Sequence, residues 1–170
     1  TILNGISYSE ADQLVSAQSM DEDLLYLPYL YTPMDLPSAQ GGFAGLRPYH
    51  DSAAMLRAVF EGIVFEHRYR LEKLQQSGIQ ANCAVLSGGA ANSAVFGQMF
   101  ADACGLKIFI PAQSQSGALG GAILGMVAAG IYPDIHTAID AVVQYTRCFS
   151  PDPAAHTYYE QKYSRFRGAQ

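Results

Sequence analysis

The segment Ser87-Gly88-Gly89-Ala90-Ala91-Asn92-Ser93 stands between a short apolar run, Cys83 to Leu86, and an amphipathic stretch from about Asn92 to Cys104. No other part of the chain limits its fold as tightly. Adjacent glycines at a strand-to-helix turn permit φ > 0 and let a ligand come close to the main chain. The helix that follows offers unpaired N–H groups and the positive end of its dipole. The pattern predicts an anion site of nucleotide size. Asn92 and Ser93 are also favourable N-cap residues, so a purely structural turn would share part of the pattern.

The surrounding sequence reads as a β-α-β unit. Cys83–Leu86 is a strand, Asn92–Cys104 a helix with Val95, Phe96, Met99 and Phe100 on its apolar face, and Lys107–Ile110 a second strand ended by Pro111. A crossover of this kind favours neighbouring parallel strands, and the fold class is α/β. A second glycine-rich helix entry follows. The polar turn Gln113–Ser116 leads into Gly117-Ala118-Leu119-Gly120-Gly121-Ala122 and a helix to about Ala129, stopped by Gly130. Interior glycine costs roughly 1 kcal/mol relative to alanine, so Gly120, Gly121 and Gly125 together cost about 3 kcal/mol that something must offset. Gly117, Gly121 and Gly125 line one face of that helix and admit another backbone or a flat ligand. Tight helix packing and nucleotide contact by the first turn both account for them.

Upstream, Ser9 and Asp12 cap a short helix to about Met20, and Leu24–Leu30 is a buried strand. A loop from Tyr31 to Pro48 carries Pro33, Pro37, Gly41, Gly42, Gly45 and Pro48, with Phe43 and Leu46 tucked beneath it. Asp51 or Ser52 opens the longest helix, which Gly78 stops. Its apolar stripe is Met55, Leu56, Val59, Phe60, Ile63, His67, Leu71 and Leu74, and on that stripe His67 reads as a core histidine. Downstream, Asp134 caps a short helix to Val143, Tyr145–Phe149 is extended, and Pro153–Phe166 is a last helix.

Composition narrows the function classes. A chain of 170 residues suits one domain with its own core. Its net charge of −5 argues against a nucleic-acid surface. The densest basic group, Arg68, Arg70 and Lys73, falls at helical spacing and reads as a solvated face. Cys83, Cys104 and Cys148 lie in apolar runs, which predicts buried thiols, a reducing cytoplasm and no metal. The uncharged stretch Gly117–Ile131 falls short of the roughly 20 residues a membrane span needs, and no signal peptide is visible. The chain opens at Thr1 directly into a helix-like segment and reads as a piece of something longer.

Specific chemistries can be pruned as well. The turn lacks both the G-x-G-x-x-G spacing of a dinucleotide site and the Gly-Lys-Ser/Thr ending of a P-loop. The serines lack the G-x-S-x-G elbow of a hydrolase. With no metal motif and no nucleophile, two glycine-rich helix entries in consecutive β-α units point to binding a phosphorylated cofactor.

Phe43-Ala44-Gly45-Leu46, Leu56-Arg57-Ala58-Val59-Phe60-Glu61-Gly62, Leu86 to Ser93, Gln98-Met99-Phe100-Ala101-Asp102 and Ser116 to Leu124 resemble, in order and spacing, the C-terminal domain of the FGGY carbohydrate kinases. The ending, with Tyr132-Pro133, Phe149 to Asp152 and Tyr158 to Phe166, is similar to the pentulose kinase branch, xylulose and L-xylulose kinases in particular. The resemblance implies an actin-like (ribonuclease H-like) ATPase domain, one of two that close on ATP, Mg2+ and a ketose or polyol. Phosphoryl transfer needs positioning and charge stabilisation more than covalent help, which suits such a clamp. By the same resemblance Gly88, Gly89 and Ala90 approach the ribose and α-phosphate through backbone, Asn92 or Ser93 meets adenine, and Phe96 flanks the base or packs in the core. The first turn of the Gly117–Gly121 helix packs behind the nucleotide.

In the family the aspartate that deprotonates the sugar, most sugar contacts and a phosphate-gripping Gly-Thr turn lie outside the region matched here. Asp102, within the helix after the turn, is read as structural, so no catalytic residue is assigned. The chain is expected to be the C-terminal nucleotide-binding domain truncated on its N-terminal side, inactive alone, and prone to aggregation or self-association, a homodimer included. A non-catalytic nucleotide-binding module of the same fold is the alternative. Three departures stand out. Ser114 and Gln115 replace a common acidic pair, Ala54 and Met55 open the long helix, and Tyr31-Thr32-Pro33 replaces Gly-Glu-Arg-x-Pro.

Overall fold

The computed structural model describes residues 5–21, 23–31, 36–113 and 115–170. The long helix organises them. It is α2, Ser52–Gln76, and it packs on α1 (Tyr8–Ala17), β1 (Leu25–Leu27), α3 (Ala94–Cys104) and α6 (Pro153–Gly168). Asp51 caps it by accepting from the Ala54 N–H at 2.8 Å. Its contact with β1 depends on Gly62, where a Cβ would lie 2.2 Å from the Tyr26 carbonyl oxygen. β1 pairs antiparallel with β2 (Gly42–Ala44), and Tyr26 meets Phe43 across that pair with ring centroids 5.0 Å apart.

The second half holds the β-α-β unit. β3 (Cys83–Val85) lies parallel to β4 (Lys107–Pro111), with α3 as the crossover, and β5 (Tyr145–Phe149) joins β4 antiparallel to give the order β3-β4-β5. Ile108 and Ile110 face α3, which buries Phe96, Met99, Phe100, Ala101 and Ala103. The glycine-rich helix α4 (Ser116–Ala128) packs chiefly on α5 (Ile135–Val142) and, among the described residues, buries only Ile123. Val85, Leu124 and Ile131 are 54%, 58% and 65% exposed.

An ionic cluster crosses the helical layer. Glu61, 1% exposed, accepts from Arg57 Nε at 3.0 Å and from Lys162 Nζ at 2.5 Å. Arg57 also donates to the Val15 carbonyl at 3.0 Å and to the Tyr159 hydroxyl at 3.2 Å, while Lys162 reaches the Asp21 carbonyl. Charges are tolerated here because every one has a partner; stripping a partner from such a group is strongly unfavourable.

Several elements differ from the sequence expectation, each for a local reason. The capping box of α1 is Ser7 with Glu10, in place of Ser9 with Asp12, and the helix stops at Ala17, short of Met20. The strand predicted over Leu24–Leu30 shrinks to Leu25–Leu27 because Pro28 has no N–H for the ladder, and Leu30 is exposed. β2 lies inside the predicted loop, and Leu46 is 52% exposed where burial was expected. The α2 face that is most buried carries Arg57, Glu61, Val64, Phe65 and Tyr69; the predicted stripe is partly covered, and Leu74 is exposed. His67 is exposed too, its Nδ1 2.9 Å from the Ile63 carbonyl and its ring against Phe100. Arg68 is no solvated charge: it donates to the Ala103 carbonyl at 2.8 Å, pairs with Glu160 at 2.6 Å and lies over Tyr163. Cys83 and Cys148 are exposed; only Cys104 is enclosed, and burial pushes its thiol up to about 12. Thr32, Pro33 and Ser114 lie outside the described residues.

Two substitutions test this packing. Lys162→Met strands Glu61 with one partner and is expected to lower unfolding free energy by about 3 kcal/mol in urea titration. Gly62→Ala forces α2 and β1 apart and is expected to lower it by about 1–3 kcal/mol.

Candidate functional site

Leaving β3, the chain is held by the Leu86 N–H, which donates to the Phe109 carbonyl at 3.0 Å. It then turns at Gly88, whose φ of 83° and ψ of −163° belong to a region that only glycine enters without strain. Gly89–Asn92 form one turn of 3-10 helix, closed by Ala91 N–H to Gly88 O at 3.1 Å and Ser93 N–H to Ala90 O at 3.2 Å. This turn separates strand from helix, so α3 begins at Ala94 and not at Asn92. The N–H groups of Gly89 and Ala90 have no partner among the described residues. A Cβ at Gly88 or Gly89 would meet nothing within 4 Å.

The two cap candidates take different roles. Ser93 is the N-cap of α3: its Oγ accepts from the Phe96 N–H at 2.9 Å and donates to Asp12 Oδ1 at 2.7 Å. Asn92 is exposed beside it. Phe96 is 7% exposed and stacks in the core, its ring centroid 4.5 Å from Phe60 and 5.6 Å from Phe100. Its side chain fills the core under the turn. Gly117 and Gly121 lie on the exposed face of α4, and a Cβ at either, or at Gly120 or Gly125, meets nothing within 4 Å. Packing within the described residues therefore gives no reason for the glycines of α4. At the entry to that helix, Gln113 Oε1 and Ser116 Oγ are buried atoms without a hydrogen-bond partner.

Asp102 has a structural task. Its Oδ1 accepts from the Asp152 N–H and from Gln98 Nε2, both at 2.8 Å, and so fixes the entry to α6 against α3. Burial raises its pKa against the pull of those hydrogen bonds. Sequence reading did not single out Arg147 of β5, which donates to the Ala91 carbonyl in the middle of the turn. An arginine within a short strand carries no local signal of such a role. The polar cavity of about 190 Å3 near Asp21, His50 and Arg57 is part of the helical layer. In it, burial raises the Asp21 carboxyl, but hydrogen bonds from His50 and the Asp23 and Leu24 N–H groups outweigh that and lower its pKa. No cluster of His, Cys, Asp or Glu among the described residues is arranged to hold a metal ion. Nor is any described helix long and apolar enough to cross a membrane.

Comparison with known proteins places this geometry. The sequence model of the FGGY family of carbohydrate kinases, C-terminal domain, matches residues 9–129. The L-xylulose/3-keto-L-gulonate kinase of Escherichia coli (strain K12) is 33% identical over 163 residues, which are 95% of this chain and 33% of that protein. The crystal structure of xylulose kinase from Rhodospirillum rubrum superposes with a TM-score of 0.83 at 25% identity, covering 95% of this chain and 33% of its own. The ligand-bound xylulose kinase from Lactobacillus acidophilus shares the fold, with a TM-score of 0.88 at 24% identity over 99% of this chain and 35% of its own. The chain spans about a third of the length of the curated relatives it matches. The fold is the actin-like ATPase α/β fold of these sugar kinases. The chain belongs to the FGGY family of carbohydrate kinases, within that family's C-terminal domain.

Proposed function

We propose that the full-length protein containing this chain phosphorylates a ketopentose, or a related ketose or polyol, with ATP, and that this chain holds the adenosine end of the nucleotide. The observation that carries the reading is the open glycine surface. Gly88 is required by its backbone, but at Gly89, Gly117 and Gly121 neither φ nor a protein neighbour excludes a side chain. A ligand laid across the turn supplies the missing reason, since backbone N–H groups at a helix entry suit a phosphate or ribose oxygen and a Cβ would block the approach.

In this reading the free N–H groups of Gly89 and Ala90 meet the ribose and α-phosphate side, and the exposed Asn92 side chain meets adenine. Ser93 and Phe96 support the turn from below: one through its cap and the Asp12 bond, the other through the core. The first turn of α4, with Gly117 and Gly121, lines the far side of the nucleotide. Mg2+ would enter bound to the phosphates of ATP, as is usual for this ion in phosphoryl transfer. Asp102 is engaged in structural hydrogen bonds, so the base that activates the sugar hydroxyl comes from the rest of the protein as well. The cytoplasm, where ATP and reduced thiols coexist, suits this activity and the three free cysteines.

The substrate class follows from the relatives, whose printed names include xylulose and L-xylulose kinases. A coupled ADP-release assay of the full-length protein across a ketose and polyol panel is expected to show turnover with at least one ketose. Turnover with no sugar, together with retained ATP binding, would identify a non-catalytic nucleotide module. Calorimetry is the companion measurement: Gly89→Arg is expected to weaken ATP or ADP binding by about tenfold or more by filling the approach to the turn. Unaltered binding in that variant would remove the turn from the site.

A further inference from the structure

The turn is open above and tied below, and the ties come from elements far away in sequence. Arg147 lies on β5, opposite Ile110 in the ladder with β4, and its guanidinium donates to the carbonyl of Ala91, a residue 7% exposed at the centre of the 3-10 turn. The same guanidinium carbon stands 5.7 Å from the centroid of the Phe149 ring, which limits its swing. On the other flank Asp12 of α1 accepts the Ser93 hydroxyl at 2.7 Å, and that hydroxyl simultaneously caps α3. Both contacts fall on the second half of the turn. The first half, Gly88 and Gly89, has no side-chain tie among the described residues.

A Gly-Gly sequence closed by only two turn hydrogen bonds loses more conformational entropy on ordering than any other dipeptide, and a ligand that had to order it would bind more weakly. A cationic donor on the Ala91 carbonyl holds the Ala91–Asn92 peptide plane, and with the Ala91 N–H bonded to the Gly88 carbonyl it restrains the turn that carries the Gly89 and Ala90 N–H groups. Charge-assisted hydrogen bonds are shorter and stronger than neutral ones, so this tie is well suited to hold a main-chain turn.

We propose that Arg147 and Asp12 are positioning residues for the nucleotide: they pre-order the Gly88–Ser93 turn from its two flanks, Arg147 through the Ala91 carbonyl and Asp12 through the Ser93 hydroxyl. The inference rests on the adenosine reading of the turn. It predicts a selective kinetic effect, because the contacts that carry the argument are made to the turn itself, at the Ala91 carbonyl and the Ser93 hydroxyl.

The test uses the full-length protein and steady-state kinetics with each substrate varied in turn. Arg147→Gln is expected to raise the KM for ATP by about tenfold, the loss of one charge-assisted hydrogen bond, with the KM for sugar unchanged. Arg147→Lys, which keeps a cationic donor, is expected to recover most of that loss. Asp12→Ala is expected to shift the same parameter in the same direction, and it provides the readout if Arg147→Gln does not fold. An unchanged KM for ATP in both Arg147→Gln and Asp12→Ala would overturn the proposal and leave the adenosine site standing. So would parallel rises in both KM values, which would mark a general structural defect. Absence of ATP binding by the unsubstituted protein in calorimetry would overturn the adenosine reading itself, and this inference with it.

Discussion

Glu61 is the charge on which the arrangement of helices depends. It is enclosed by α2, α6 and the end of α1, and it is neutralised by Arg57 from its own helix and Lys162 from α6. Arg57 also donates to the Val15 carbonyl, which accepts the Gln18 N–H as well where α1 ends, to the Gln18 carbonyl and to Tyr159. Burying ions in this way does not by itself favour folding, since desolvation offsets the attraction. It does make other packings costly, because any shift of α1 or α6 against α2 would strand a buried charge. The position of α1 is thereby set, and with it Asp12 and the Ser93 hydroxyl that Asp12 accepts. A line of specific polar contacts thus runs from the interior ion cluster to the rim of the glycine turn.

As the proposed nucleotide surface, the turn combines two requirements that usually conflict. A surface meant for a ligand should expose unpaired N–H groups and present no side chains, yet a glycine-rich loop with those properties is floppy. Here the conflict is resolved by position. Gly88 and Gly89 stay bare at the front, while Ala91, Ser93 and Phe96 anchor the back to β5, α1 and the core. The four glycines of α4 lie on a helix of which only Ile123 is buried among the described residues, and no protein neighbour within 4 Å accounts for their lack of side chains.

How much of this was legible in the sequence depended on how local the cause was. The β-α-β order, the parallel pairing of β3 with β4, and the caps Asp51, Ser93 and Asp134 follow from short-range patterns, and the structure has them. The burial face of α2 was misjudged because Arg57 and Glu61 are charged, and a hydrophobicity stripe excludes residues that are buried only because they pair. β2 escaped because it is very short, opens on Gly42 and is flanked by Gly41 and Gly45. The 3-10 turn at Gly89–Asn92 looked like the start of α3, since Asn92 and Ser93 are both capping residues and only the backbone decides between them. Arg147 was invisible, because its target is a main-chain carbonyl 56 residues away in sequence.

The central claim is that the Gly88–Ser93 turn and the first turn of α4 form one face of an ATP site. Hydrogen–deuterium exchange of the full-length protein with and without saturating ATP reads it directly. The account predicts slowed exchange in the peptides carrying Ser87–Ser93 and Ser116–Gly121, with the amides of Gly89 and Ala90 among those protected. Saturation with ATP that leaves both segments exchanging at their free rates would contradict it.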